Sequence, residues 1–130
     1  MIRCEHICKS FDGKQVLKDI SAEFLPGEIN MIIGRSGSGK TVLIKCIAGL
    51  FNVDGGEIYY GDTLFTSLDF KQRKAIRRDV GMIFQGGALL DSLTVEDNVR
   101  FPLDMFTEHS MAENRERVDF CLWRVNLDWA

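Results

Sequence analysis

The stretch Gly34-Arg35-Ser36-Gly37-Ser38-Gly39-Lys40-Thr41 fits the pattern G-x-x-x-x-G-K-[ST] at every fixed position. That pattern holds a chain to one local architecture: a strand, a tight loop and a helix. The flanks supply the other two parts. Ile29-Asn30-Met31-Ile32-Ile33 follows a turn at Pro26-Gly27-Glu28 and reads as a short, mostly apolar strand, and Thr41 to Leu50 reads as a helix. Glycines 34, 37 and 39 let the backbone curl so that successive N–H groups converge on phosphate oxygens. The first turn of the helix adds unpaired N–H groups and the positive end of its dipole. The residues from Gly34 through Thr41 are thus candidates to cradle a nucleoside triphosphate. Lys40 would reach the β- and γ-phosphates and the Thr41 hydroxyl would ligate Mg²⁺. The competing reading, a Gly/Ser-rich surface turn with an incidental lysine, has to treat both flanks as coincidence.

The helix after the loop is nearly apolar all round. Val42, Leu43, Ile44, Cys46, Ile47, Ala48 and Leu50 leave only Lys45 as a clear polar exit. Such a helix is expected to be covered on most sides, beside a largely parallel sheet. Gly49 near its end reads as a packing or C-cap residue.

Composition narrows the function classes. A chain of 130 residues with formal charge −3 and a pI near 5.4 has the length and balance of one globular domain. It gives no ground for nucleic-acid binding. No apolar run reaches the length of a membrane span and the N-terminus is not a signal peptide, so a cytosolic chain is expected. Cys4, Cys8, Cys46 and Cys121 form no C-x-x-C pair, and His6 and His109 are isolated, so reduced structural cysteines are the default. The basic cluster Lys71, Arg73, Lys74, Arg77 and Arg78 has no interleaved aromatics and reads as a solvated helix face. Trp123 and Trp129 read as packing residues.

Met1 to Phe11 and Gln15 to Leu25 look like two strands joined at Asp12-Gly13-Lys14. Val53-Asp54-Gly55-Gly56 reads as a turn, Glu57-Ile58-Tyr59-Tyr60 as a strand and Gly61-Asp62 as another turn. Leu68 to Arg78 is a polar helix or turn, and Val80-Gly81-Met82-Ile83-Phe84 a second buried strand. Thr94 to Leu103 reads as a helix capped by Ser92 or Thr94, with Asp97 near the capping-box position and Pro102 ending it. Val118, Leu122 and Val125 mark a last amphipathic helix.

These pieces resemble a family. His6 to Gly34, the loop itself, A-G-L at Ala48, D-G-G-E-I at Asp54 and V-G-M-I-F-Q at Val80 stand in the order and spacing of ABC transporter ATP-binding subunits. The resemblance implies an α/β fold: a RecA-like P-loop core (28–52 and 79–85), an antiparallel β-subdomain (1–27 and 53–66) and the start of a helical subdomain (86–130). It implies that Phe11 stacks on adenine with Val16 close to the base or ribose. It also implies that Gln85 is the Q-loop glutamine, contacting Mg²⁺ and the attacking water when the site closes. Against these stand plainer readings: Phe11 capping a hydrophobic cluster, and Gln85 ending a strand. The implied cofactors are ATP and Mg²⁺. The implied partners are a transmembrane permease and a second ATPase subunit in a head-to-tail dimer, at the inner face of the cell membrane.

A finer likeness runs from Gln85 to Leu103, which is similar to the segment after the Q-loop in Mla/Mce-type phospholipid transport ATPases. Ala88, Leu89, Leu90 and Leu93 suit either an apolar contact with the permease or the core of the helical subdomain. Val42 stands where most of the family has a second hydroxyl residue, which would tune phosphate affinity without removing the cradle. No L-S-G-G-Q loop, no apolar strand ending in Asp-Glu and no switch histidine follows Gln85. The N-terminal part of a longer subunit is therefore expected, whose 130 residues alone would hold phosphate without turning over ATP. Two classes stay open: a motor ATPase that energises transport, with soluble ABC proteins and small P-loop kinases as lesser variants, and a nucleotide-binding module that switches without hydrolysis.

Overall fold

The computed structural model describes residues 1–129. They form two units, the first spanning Met1–Gly81 and the second beginning at Met82.

The first unit is built on an antiparallel sheet. Strand β1 (Ile2–Phe11) turns at Asp12-Gly13 into β2 (Lys14–Phe24), and Phe11 pairs with Lys14. Both turn residues have positive φ, 48° and 77°, the geometry of a two-residue hairpin turn whose twist matches its strands. On its other side β1 pairs with β3 (Gly55–Tyr60), which pairs with the short β4 (Thr63–Leu64), giving the order β2-β1-β3-β4.

Helix α1 (Lys40–Ile47) lies on this sheet through Leu43 and Cys46. Those two side chains share a core with Cys4, Ile7, Leu17, Ile58 and Phe65. Burial pushes the Cys4 thiol up to about 11, with Cys46 beside it adding to the effect, so it packs as a small apolar group. The helix stops where Leu50 N–H donates to the Lys45 carbonyl (2.8 Å) and Gly49 N–H to that of Cys46 (3.0 Å). Gly49 thus serves both expected roles, because a Cβ there would stand 2.6 Å from the Phe65 ring. The Tyr60 hydroxyl donates to the Ile47 carbonyl (2.6 Å), tying the helix end to β3. A 3-10 turn (Phe65–Ser67) then leads to α2 (Phe70–Arg77), opened by a reciprocal capping box between Asp69 and Gln72.

In the second unit, α3 (Val95–Phe106) and α4 (Met111–Arg124) pack against each other. Thr94 caps α3, its hydroxyl accepting from the Asp97 N–H (3.1 Å), and Ser110 with Glu113 makes a capping box on α4. Val118 and Leu122 are buried. No helix among the described residues is long and apolar enough to cross a membrane.

Several expectations are corrected. Residues 29–33 and 80–84 are not strands. A strand exists only as half of a ladder, and no described segment pairs with either, so Ile29 stands fully exposed. The described strands are antiparallel, not parallel. Helix α1 is covered on one face only, leaving Ile44 exposed, and Leu50, expected within the helix, lies beyond its end and is exposed too. Pro102 lies inside α3 and does not end it. The ion pair of Arg100 with Asp104 (3.1 Å) bridges the proline, and the buried Asn114 holds Asp104 from α4 (2.9 Å). Val125 is the C-cap of α4 and exposed, because the helix ends one residue before the third member of its apolar stripe.

Candidate functional site

The loop from Gly34 to Thr41 closes on itself. Ser38 N–H donates to the Arg35 carbonyl (3.1 Å), and Gly39, at φ 93°, is the residue from which α1 starts. Only a glycine fits there: a Cβ on Gly39 would meet Val16 Cγ1 and Leu17 Cδ2 at 3.0 Å and the Val16 carbonyl at 3.3 Å. β2 is therefore the wall against which the loop is seated. Gly34 is close-packed too, with Ser38 Oγ 2.6 Å from where its Cβ would stand.

Lys40 is the first residue of α1, and its ammonium folds back over the loop. Nζ donates to the carbonyls of Gly34 (2.8 Å) and Arg35 (2.9 Å). A cation held above a ring of backbone groups, at the N-terminal end of a helix with no acidic residue in its first turn, favours an anion. Arg35, Ser36, Gly37 and Ser38 are solvent-exposed, as is Thr41 in the first helical turn. The Thr41 hydroxyl is a hard donor of the kind Mg²⁺ accepts in ones and twos while keeping water and phosphate oxygens.

The other expected residues fall as follows. Val16 packs on the loop at Gly39. Phe11, at the end of β1, meets Phe51 with ring centroids 5.3 Å apart and an interplanar angle of 67°. It retains 37% of its surface exposed. Gln85 lies in the second unit, exposed, on a turn closed by Gly87 N–H to the Phe84 carbonyl (3.1 Å). Sequence reasoning passed over Leu17, Lys9 and Asp54. Leu17 is buried under the loop, and Lys9 Nζ stands 5.2 Å from the Phe11 ring centre while bonded to Asp54 Oδ1 (3.0 Å). The i, i+2 spacing of Lys9 and Phe11 on one strand face was the available signal.

Comparison with known proteins decides the family. The model of the ABC transporter family matches residues 17–129, nearly the whole chain. The chain belongs to the ABC transporter family.

Among relatives, the methionine import ATP-binding protein MetN of Clostridioides difficile (strain 630) is 44% identical over 118 residues, 91% of this chain and 36% of MetN. The phosphonates import ATP-binding protein PhnC of Fusobacterium nucleatum is 33% identical over 98% of this chain and 54% of PhnC. The cell division ATP-binding protein FtsE of Escherichia coli (strain K12) is 38% identical over 128 residues, 98% of this chain and 57% of FtsE. The solved dimer of the ATP-binding cassette MJ0796 in a post-hydrolysis state, bound to ADP and Pi, superposes with a TM-score of 0.86 at 31% identity. That match covers 97% of this chain and 57% of the cassette. The chain thus spans between about a third and somewhat over half of these ABC proteins. The fold is that of a P-loop ABC cassette, α/β with an antiparallel sheet beside the loop helix. No Mla/Mce-type ATPase is among these relatives.

Proposed function

We propose that this chain is the nucleotide-holding part of an ABC transporter's ATPase subunit, binding Mg-ATP and coupling its hydrolysis to transport. The observation that carries the reading is the Lys40 ammonium folded over the Gly34–Gly39 loop and bonded to the Gly34 and Arg35 carbonyls, with Gly34 to Ser38 exposed to solvent around it. In this reading Lys40 holds the β- and γ-phosphates and the loop N–H groups cradle their oxygens. Thr41 supplies a ligand to Mg²⁺, and Val16 and Phe11 meet the nucleoside. Gln85 orients the attacking water, which makes it the residue through which binding becomes turnover.

A permease and a second ATPase subunit are the proposed partners, at the inner membrane face. The import functions named for MetN and PhnC and the dimeric state of the MJ0796 cassette support them. For cargo, the likeness from Gln85 to Leu103 supports a phospholipid. Methionine and phosphonates, the cargoes in the names of MetN and PhnC, are the small-molecule competitors.

The test is Gln85→Ala in the subunit assembled with its permease. ATP affinity is expected to stay within a few-fold while turnover and transport fall together, because a group acting on water stabilises the transition state more than the bound ground state. Normal turnover in the assembled variant would make Gln85 a turn residue with no part in hydrolysis, whereas absent turnover in the assembled unsubstituted subunit would favour a nucleotide-binding module that does not hydrolyse.

A further inference from the structure

Phe11 does not stand alone. Lys9, two residues earlier on β1, lies over its ring at 5.2 Å, and Phe51 meets the same ring at 5.3 Å. Lys9 is not a loose surface lysine: its side chain is only 14% exposed. Its ammonium is fixed by Asp54 Oδ1 at 3.0 Å, and the other carboxylate oxygen of Asp54 accepts the Ser10 N–H at 2.6 Å. Asp54 in turn donates its own N–H to the Cys8 carbonyl at 2.9 Å. The carboxylate is thus clasped to β1 from both ends, and the Lys9 hydrogen bond, followed by that of Ser10, holds it below the usual carboxylate range. Across the ladder Lys9 pairs with Leu17, the residue that seats Gly39 of the phosphate loop. At about 3.3 Å per residue along a strand, Phe11 stands roughly 7 Å beyond that pair, within a nucleoside's reach of the loop.

We propose that Lys9 is a positioning residue for nucleotide recognition, holding the Phe11 ring in place so that its exposed part meets the base of the bound triphosphate. The proposal rests on the reading that Gly34–Thr41 takes a triphosphate and Phe11 the base. A ring already fixed by a cation on its face and a second ring at its side loses little freedom when a base settles on it, so more of the stacking shows as affinity. The clamp carries no hydrogen bond to the base and predicts tolerance among purine triphosphates.

The experiment is calorimetric titration of the protein with Mg-ATP and, separately, with inorganic tripolyphosphate, which has the charge without the base. Lys9→Met keeps the stem and removes the cation. It is expected to weaken ATP about two- to fivefold, the scale of an exposed cation–π contact, and to leave tripolyphosphate unchanged. Lys9→Arg is expected to restore ATP affinity. Asp54→Asn, which frees the ammonium without removing it, should move ATP in the same direction by less, and serves where Lys9→Met does not fold. An equal loss for both ligands would mean that Lys9 acts on phosphate or on the sheet, and overturns the proposal. Unchanged ATP affinity in Lys9→Met alongside weakened binding in Phe11→Ala overturns the role of Lys9 alone. Unchanged ATP affinity in Phe11→Ala overturns both it and the base-stacking reading, while a retained tripolyphosphate affinity leaves the phosphate loop standing.

Discussion

Lys40→Ala is expected to lower triphosphate affinity about ten- to a hundredfold while the protein stays folded. The Nζ group makes two hydrogen bonds, to the Gly34 and Arg35 carbonyls, and both lie in the exposed loop. Water replaces them when the ammonium is removed, and alanine at the first position of α1 costs the helix nothing. The core that holds α1 to the sheet, through Leu43 and Cys46, is untouched. A phosphate in the loop loses its cation, and a charge-assisted hydrogen bond is worth about 1.5–3 kcal/mol. At about 1.4 kcal/mol per factor of ten, that is the stated loss. Calorimetric titration with Mg-ATP, paired with a circular-dichroism melt, measures both halves. Unchanged affinity in a folded variant would remove Lys40 from the phosphate site and with it the main support for the proposed function.

What the residues disclosed, and what they hid, follows from how far each interaction reaches along the chain. The Asp12-Gly13 hairpin, the Thr94 cap and the Gly49 helix end depend on neighbours within a few positions, and all three stand as expected. The phosphate loop is equally local. Ladder membership is not: Ile29–Ile33 has the composition of a strand and no described partner. Pro102 shows the converse, a local helix-breaker overruled by Arg100, Asp104 and the buried Asn114 of the next helix. The site followed the same division. Gly34 to Thr41 was readable as a motif, but the seat that Val16 and Leu17 give to Gly39 comes from a strand some twenty residues away. The i, i+2 spacing put Lys9 on the face of Phe11, but the anchor that fixes its ammonium, Asp54, is 45 positions distant and was not readable.

Gly56→Ala is expected to be the most destabilising of the single changes considered, although Gly56 belongs to neither the phosphate loop nor the turn that carries Gln85. It sits in β3 where the pairing with β1 skips register, between Glu5↔Glu57 and Cys8↔Gly55. Its φ is +87°, and a Cβ there would stand 2.4 Å from the carbonyl oxygens of both Glu5 and His6. Those are backbone atoms, so no rotamer change relieves the contact, and His6 is itself left-handed at φ 54°. The two strands must part at the bulge. Parting them uncovers Cys4 and Ile58, which pair across this ladder and are almost wholly buried. The left-handed conformation alone costs an alanine about 1–2 kcal/mol, and the forced separation brings the total to about 3 kcal/mol or more. For a unit of this size that is a fall in Tm of roughly 12–24 °C. Gly13→Ala is the control: φ is +77° and nothing lies within 4 Å of its Cβ, so only the conformational part is lost. A melt of Gly56→Ala no lower than that of Gly13→Ala would show that β1 and β3 yield at the bulge without cost. The change should also reach the nucleotide, because β1 carries Lys9 and Phe11 beyond the bulge while the phosphate loop is seated on β2. Where the variant remains folded, its affinity for ATP should fall further than its affinity for tripolyphosphate.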